Sequence, residues 1–362
     1  MASQSIVFFE PDHHGHRMNY VKHLVDLARE DGREFVLASC SATFTSEELN
    51  SRLRLQRDEC YDLGSWPVGN YNKWFAHVLT KAQSDYPSST FVVLEGDKVL
   101  VSLLRAWRGR GRDLIVLVMR VPIFSMRPRE LAKWGLKWTL RLANEARGSR
   151  VLGLAPARAE SSSYRYRGWT AAPDPVDIPD FKEDAVKRLA ADKLVLGIFG
   201  HVTARKQIPE LLLALSNNSR REQIIVRIMG KIAGEVEDAV LAAVDRARKN
   251  GLEVEVQNRL LGDEELLSEM QACDGSIIAY ASQGPSGIVA LSVAVGTAIV
   301  NINNNELKRA IIAMGGTVVD VPSGLSELQS PAWIEGVRTA SATPRRLANG
   351  KAFASRLIQG ST

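Results

Sequence analysis

At 362 residues, with 45% hydrophobic and 24% charged side chains, the chain has ordinary globular composition and is long for a single α/β domain, so two domains are expected and disorder is not. No apolar run reaches the roughly 20 residues of a bilayer span, and the opening MASQSIVFFEPDHHGHR lacks a basic leader and a small-residue cleavage site, so a cytoplasmic protein is expected. The net charge of +5 is unevenly placed: sixteen Lys/Arg face four acids between Lys98 and Arg167, which points to an anionic partner for that stretch.

Short β-branched or apolar runs alternate with helical segments throughout, the pattern of doubly wound α/β with parallel sheets. Strands are predicted in the first half at Ser5–Phe9, Phe35–Ala38, Phe91–Leu94, Leu114–Met119 and Val151–Leu154. The first runs into Glu10-Pro-Asp-His-His-Gly-His-Arg17, where a glycine ahead of a helix N-terminus lets backbone approach a ligand. His14, Gly15, His16 and Arg17 are candidate acceptor-side residues. The loop is not the dinucleotide GxGxxG. Its three histidines fit a metal site or a polar loop, and with no partner Cys or His cluster elsewhere no metal is expected. Cys40, Cys60 and Cys273 are odd in number and lack CxxC spacing, so they read as buried or idle thiols of a reducing compartment.

Glu95-Gly-Asp97-Lys98 follows the third strand; Asp97 is a candidate to contact acceptor hydroxyls or act as a base, or else to cap the next helix. Further on, Arg129, Lys133, Lys137 and Arg141 recur at i, i+4, bordered by Trp134 and Trp138. Such a stripe suits the surface of an anionic membrane or a solvated helix face; no nucleic-acid reading module accompanies it, so no nucleic-acid partner is expected.

The prolines of Ala172-Pro-Asp-Pro-Val-Asp177 favour an extended crossing. They set the expected division: an N-terminal domain 1–172, a linker 173–177, a C-terminal domain 178–340, and a tail 341–362 whose helix, Arg345–Leu357, packs back on the first domain. The second half repeats the alternation, with strands at Leu194–Gly200, Ile224–Met229, Leu252–Gln257, Ser276–Tyr280, Ala298–Asn301 and Thr317–Val321. Two of its strand-to-helix turns suit an anion. Gly200-His201-Val202-Thr203-Ala204-Arg205-Lys206 brings two cations to a helix N-terminus, and Gln283-Gly284-Pro285-Ser286-Gly287-Ile288 offers a hydroxyl and backbone amides. Each alone also fits a solvated basic turn or a plain serine N-cap.

From its opening strand through Asn301 the second half resembles the C-terminal domain of GT4-like glycosyltransferases of the GT-B fold. The family's Gly-Arg-Leu turn with a following Lys is matched by Gly200-His201-Val202 and Lys206, with Arg205 standing in for the replaced arginine. Asp263 to Leu267 and Ala272-Cys-Asp274 resemble the helix, aspartate and strand that lead to the donor loop, and Pro173 to Val176 the inter-domain crossing. The resemblance implies two Rossmann-like domains facing across a cleft, a nucleotide-sugar co-substrate with no other cofactor, a sugar or lipid-linked acceptor and retention of anomeric configuration. Lys206 and Arg205 would then offset the charge of the departing diphosphate. The family's two donor-loop glutamates are absent, their places being taken by Gln283 and Leu291, so those contacts are not carried over. An idle relative acting as a binding subunit and a nucleotide-sugar epimerase are the rival readings.

Overall fold

The structure, a computed structural model, describes residues 5–11, 17–46, 53–67, 69–107, 113–122, 128–157, 165–176, 192–279, 286–340, 343–345 and 347–359. The chain divides into two compact units. Unit 1 comprises Met1–Ala155, Glu160–Pro175 and Ala348–Thr362; unit 2 comprises Pro156–Ala159 and Val176–Leu347.

Unit 1 is built on β1 (Ile6–Phe9), β2 (Phe35–Ser39), β3 (Cys60–Asp62), β4 (Thr90–Val93), β5 (Leu114–Val118), β6 (Ser149–Ala155), β7 (Arg165–Tyr166) and β8 (Trp169–Pro173), in the order β3-β2-β1-β4-β5-β6-β8-β7. All pair in parallel except β7 with β8. A sheet covered on both faces needs apolar residues at every position of its central strands, and Ile6-Val-Phe-Phe9 is buried throughout. Ile6 and Phe8 join one core with helix α1 (Arg17–Glu30), while Val7 and Phe9 join the other with α3 (Tyr71–Asp85) and α4 (Gly96–Ala106). A short α2 (Ser41–Thr45) follows β2, and α5 (Pro128–Glu145) joins β5 to β6.

Three strands exceed the sequence expectation. One of them, β8, occupies Ala172 and Pro173, where the sequence places a domain edge and linker. The proline closes this strand, at a position whose nitrogen takes no part in the ladder to β6, and the ladder continues with Asp174 N donating to Ala155 O (2.7 Å). Tyr20 Oη then donates to Asp174 Oδ1 (2.8 Å), and burial pushes that carboxyl up to about 6.

Unit 2 carries β9 (Leu194–Phe199), β10 (Ile224–Met229), β11 (Glu253–Gln257), β12 (Gly275–Ile278), β13 (Ala298–Ile302) and β14 (Val318–Val321), all parallel, in the order β11-β10-β9-β12-β13-β14. Its helices are α6 (Ile208–Ser216), α7 (Gly234–Lys249), α8 (Asp263–Gln271), α9 (Gly287–Val295), α10 (Asn305–Ala313) and α11 (Ala332–Thr339). The last described helix, α12 (Gly350–Ile358), lies against α1 in unit 1, where Phe353 meets Tyr20 with ring centroids 5.1 Å apart. It starts five residues later than the predicted Arg345, because the Asn349 side chain caps it by accepting from Ala352 N (3.0 Å).

In each sheet the strand order reverses between two central neighbours, β1 and β4 in unit 1, β9 and β12 in unit 2. Connections diverge to opposite faces at such a point and leave a crevice beyond the carboxyl ends, where open α/β sheets take ligands.

Candidate functional site

At the reversal point of unit 2, β9 hands the chain to Gly200, whose φ of +76° suits a glycine. Val202 forms a parallel bridge to Ile232 that pins the turn. Ala204–Lys206 winds into one 3-10 turn, and Gln207, itself left-handed at φ +50°, starts α6 with Pro209 in its first turn. His201 and Arg205 are exposed. Lys206 instead turns its ammonium back over the end of β9, donating to Gly200 O (3.1 Å) and to Phe199 O. Burial, reinforced by Arg205, lowers its pKa to about 8. An ammonium has three donors, so this anchoring leaves a third for a ligand.

The neighbouring turn follows β12. Ser286 occupies the N-cap position of α9 but makes no side-chain cap bond, contrary to the plain-cap reading. Gly287 is exposed, and its amide belongs with that of Ile288 to the first turn of the helix, which has no intrahelical acceptors. Gln283, Gly284 and Pro285 lie outside the described residues. The two turns adjoin: a methyl group added at Gly200 would lie 3.1 Å from Ile288 Cδ1 and 3.8 Å from Lys206 Nζ. Leu291 packs against the core around Phe199 and Met270, so α9 holds a hydrophobic anchor where the resembled family has a carboxylate.

In unit 1 the structure corrects the capping reading of Asp97. Its carboxylate accepts from Met119 N (2.8 Å), Arg120 N (3.1 Å) and Lys137 Nζ (2.7 Å), so it fastens α4 to the segment after β5 and does not cap its own helix. The cap position belongs to Glu95, just beyond β4 at the reversal point. Glu95 is 5% exposed; its Oε2 accepts from Tyr71 Oη (2.9 Å) and its Oε1 lies 2.6 Å from Lys98 Nζ. Asp97 lies two positions after Glu95, and only the register of the helix start distinguishes them. His14, Gly15 and His16 lie outside the described residues, and Arg17 is described only as the first residue of α1. Among the described residues no three His, Cys, Asp or Glu side chains gather to hold a metal ion.

The basic stripe is also corrected. Lys137 is spent on Asp97 and Arg120 O (2.9 Å); Arg141 is 7% exposed, bonded to Glu145 Oε1 (2.8 Å) and Gly168 O (3.0 Å), with its guanidinium 4.9 Å from the ring centre of Trp138 and 5.1 Å from that of Trp169. Each four-residue step advances about 40° around a helix, so four residues so spaced wind from the exposed side to the packed side. Arg129 and Lys133 remain exposed, beside an outer face that shows Leu131, Leu136 and Leu142 at 37%, 60% and 54% exposure. No described helix is long and apolar enough to cross a membrane.

No family model and no curated protein matches the chain. Solved structures do. HepE of Anabaena in complex with UDP superposes with a TM-score of 0.64 at 16% identity, over 98% of this chain and 96% of that one. A glycosyltransferase from Rickettsia africae gives 0.63 at 12% over 100% and 95%. WaaG, a glycosyltransferase involved in lipopolysaccharide biosynthesis, gives 0.55 at 13% over 98% and 100%. The fold is therefore the GT-B type, with two Rossmann-like α/β units.

Proposed function

We propose that this protein is a GT4-like glycosyltransferase that moves a sugar from a nucleotide-sugar donor held by unit 2 to a hydroxyl of an acceptor held by unit 1. One observation carries the reading: at the reversal point of unit 2 a lysine anchored over the strand end and the amide-bearing start of α9 adjoin through Gly200. A diphosphate needs concentrated positive charge and N–H donors to replace its water, and this crevice supplies both. In the reaction the bond from the anomeric carbon to the diphosphate oxygen breaks, the acceptor oxygen bonds to that carbon, and the hydroxyl proton leaves. Lys206, with Arg205 and His201, offsets the charge gathering on the departing diphosphate, and the amides of Gly287 and Ile288 add donors. Gly200, Ser286 and the Gln283-Gly284-Pro285 stretch complete the donor side. On the acceptor side stand Asp97 and, two positions before it, the buried Glu95, together with His14, Gly15, His16 and Arg17. No metal or other cofactor enters this reading, and retention of configuration follows from the family resemblance.

The setting we propose is glycan, polysaccharide or glycolipid synthesis on the cytoplasmic face of a membrane. The exposed leucines of α5 with Arg129 and Lys133 beside them suit an anionic bilayer, apolar side chains entering the headgroup boundary and cations meeting the phosphates. A second reading, an idle GT-B relative that binds but does not turn over, is favoured by Leu291, which fills a family carboxylate position with a packed side chain. Donor consumption with a panel of acceptors separates the two.

The direct test is a thermal-shift screen with UDP-, GDP- and dTDP-linked sugars. A donor at a hundred times its Kd stabilises the native state by about 2.7 kcal/mol. The expected result is a shift with one nucleotide class that Lys206→Ala abolishes; the same shift in that variant removes the principal phosphate contact and the proposal with it.

A further inference from the structure

Of the seven tryptophans, Trp66 alone is exposed, at 43%. It follows β3 on the carboxyl-end side of the unit 1 sheet and stands against the first turn of α3, its ring 5.5 Å from Tyr71 and 6.2 Å from Trp74. Tyr71 and Trp74 are 5.7 Å apart, and the tilts within the trio, 33°, 45° and 37°, make a shallow aromatic shelf. At its edge stand the polar groups already described: Tyr71 Oη donates to Glu95, Lys98 pairs with Glu95, and the Lys98 ammonium lies 5.6 Å from the Tyr71 ring centre. The tether matters. A large ring left in water by chance rotates freely, whereas this one is braced by two others, of which Tyr71 is itself tied to a carboxylate at the reversal point.

We infer that this shelf is a carbohydrate subsite: Trp66, Tyr71 and Trp74 receive the C–H face of a neutral pyranose, while Glu95 accepts from and Lys98 donates to its hydroxyls. A pyranose has one face of C–H bonds and a rim of hydroxyls, which matches an aromatic surface bordered by one fixed acceptor and one fixed donor. A phosphorylated or acidic ligand is disfavoured by the Glu95 carboxylate. A flat nucleobase would stack as well, but the nucleotide has its charge complement in unit 2, at Lys206. The inference rests on the transferase reading only in calling the bound glycan the acceptor; the binding itself stands apart from it.

The test is saturation-transfer NMR on the full protein with maltotriose, cellotriose and chitotriose, alongside thermal shifts with UDP. Expected are transfer to the ring C–H protons of at least one trisaccharide, affinity weakened about tenfold in Trp66→Ala and largely kept in Trp66→Phe, and an unchanged UDP shift in both. Trp66 is exposed, so neither variant should disturb folding. Absence of transfer from all three sugars, equal binding by Trp66→Ala, or loss of the UDP shift in that variant overturns the subsite. Glycan binding without any nucleotide response would instead leave the subsite standing and remove the transferase reading.

Discussion

A lysine with a pKa near 8 is partly neutral just above physiological pH, so Lys206 is the residue most exposed to conditions. The cationic form is the one that meets a diphosphate. Donor affinity should therefore hold between pH 6.5 and 7.5 and fall above about 8, by up to tenfold per pH unit. Calorimetric titration of UDP into wild type and Lys206→Ala checks this, and parallel profiles for the two would remove Lys206 from the site. Without ligand the sign reverses: between about 8 and 10.5 the unfolded chain holds a proton that the folded lysine has released, so stability rises with pH across that window. The position of Lys206 was legible, because a strand, a glycine turn and a proline-started helix bracket it. Its anchoring on the carbonyls of Phe199 and Gly200 was not, since nothing local distinguishes an ammonium turned back from one reaching into water. The partners of Asp97 were hidden for a related reason, Met119, Arg120 and Lys137 being remote in sequence.

Helix α5 shows what periodicity can and cannot decide. The Arg129–Arg141 spacing identified a helix correctly, but arginine stems and tryptophan rings pack as well as leucines do, so charge alone did not reveal which side faces in. The outer side proved to be the leucine-bearing one. If that face meets lipid, the wild-type protein should sediment with vesicles containing phosphatidylglycerol and much less with phosphatidylcholine alone, and Leu136→Glu should weaken the association about tenfold or more. Equal sedimentation of variant and wild type, or sedimentation with neither vesicle, would leave the leucines unexplained by lipid. Strand β8 is the other lesson at this scale: a proline pair reads as a boundary, yet the first proline of the pair completes a buried strand, because it sits where the ladder to β6 needs no amide from it.

The architecture was largely legible, since the alternation of apolar runs with helical segments leaves little besides parallel sheets with crossovers. The order of strands was not, and it is the order that makes reversal points of the Glu95 and Lys206 turns. The tail, read from the sequence as a helix that returns to the first domain, makes unit 1 discontinuous. Phe353 and Leu357 are fully buried in the same core as Met18 and Leu24. Phe353→Ala should cost about 3–5 kcal/mol. Hydrogen exchange should then show protection falling in β1, α1 and α12 while β9 and β10 keep theirs; a uniform loss would mean that the two units do not unfold separately.

That discontinuity has a consequence during synthesis. The residues that close unit 1 are translated only after all of unit 2, Val176–Leu347, a delay on the order of ten seconds or more at ordinary ribosomal speed. Through that interval the later-born unit can mature on the ribosome while the earlier one waits with a greasy flank around Tyr20 and Leu24, a natural client for a chaperone until α12 emerges.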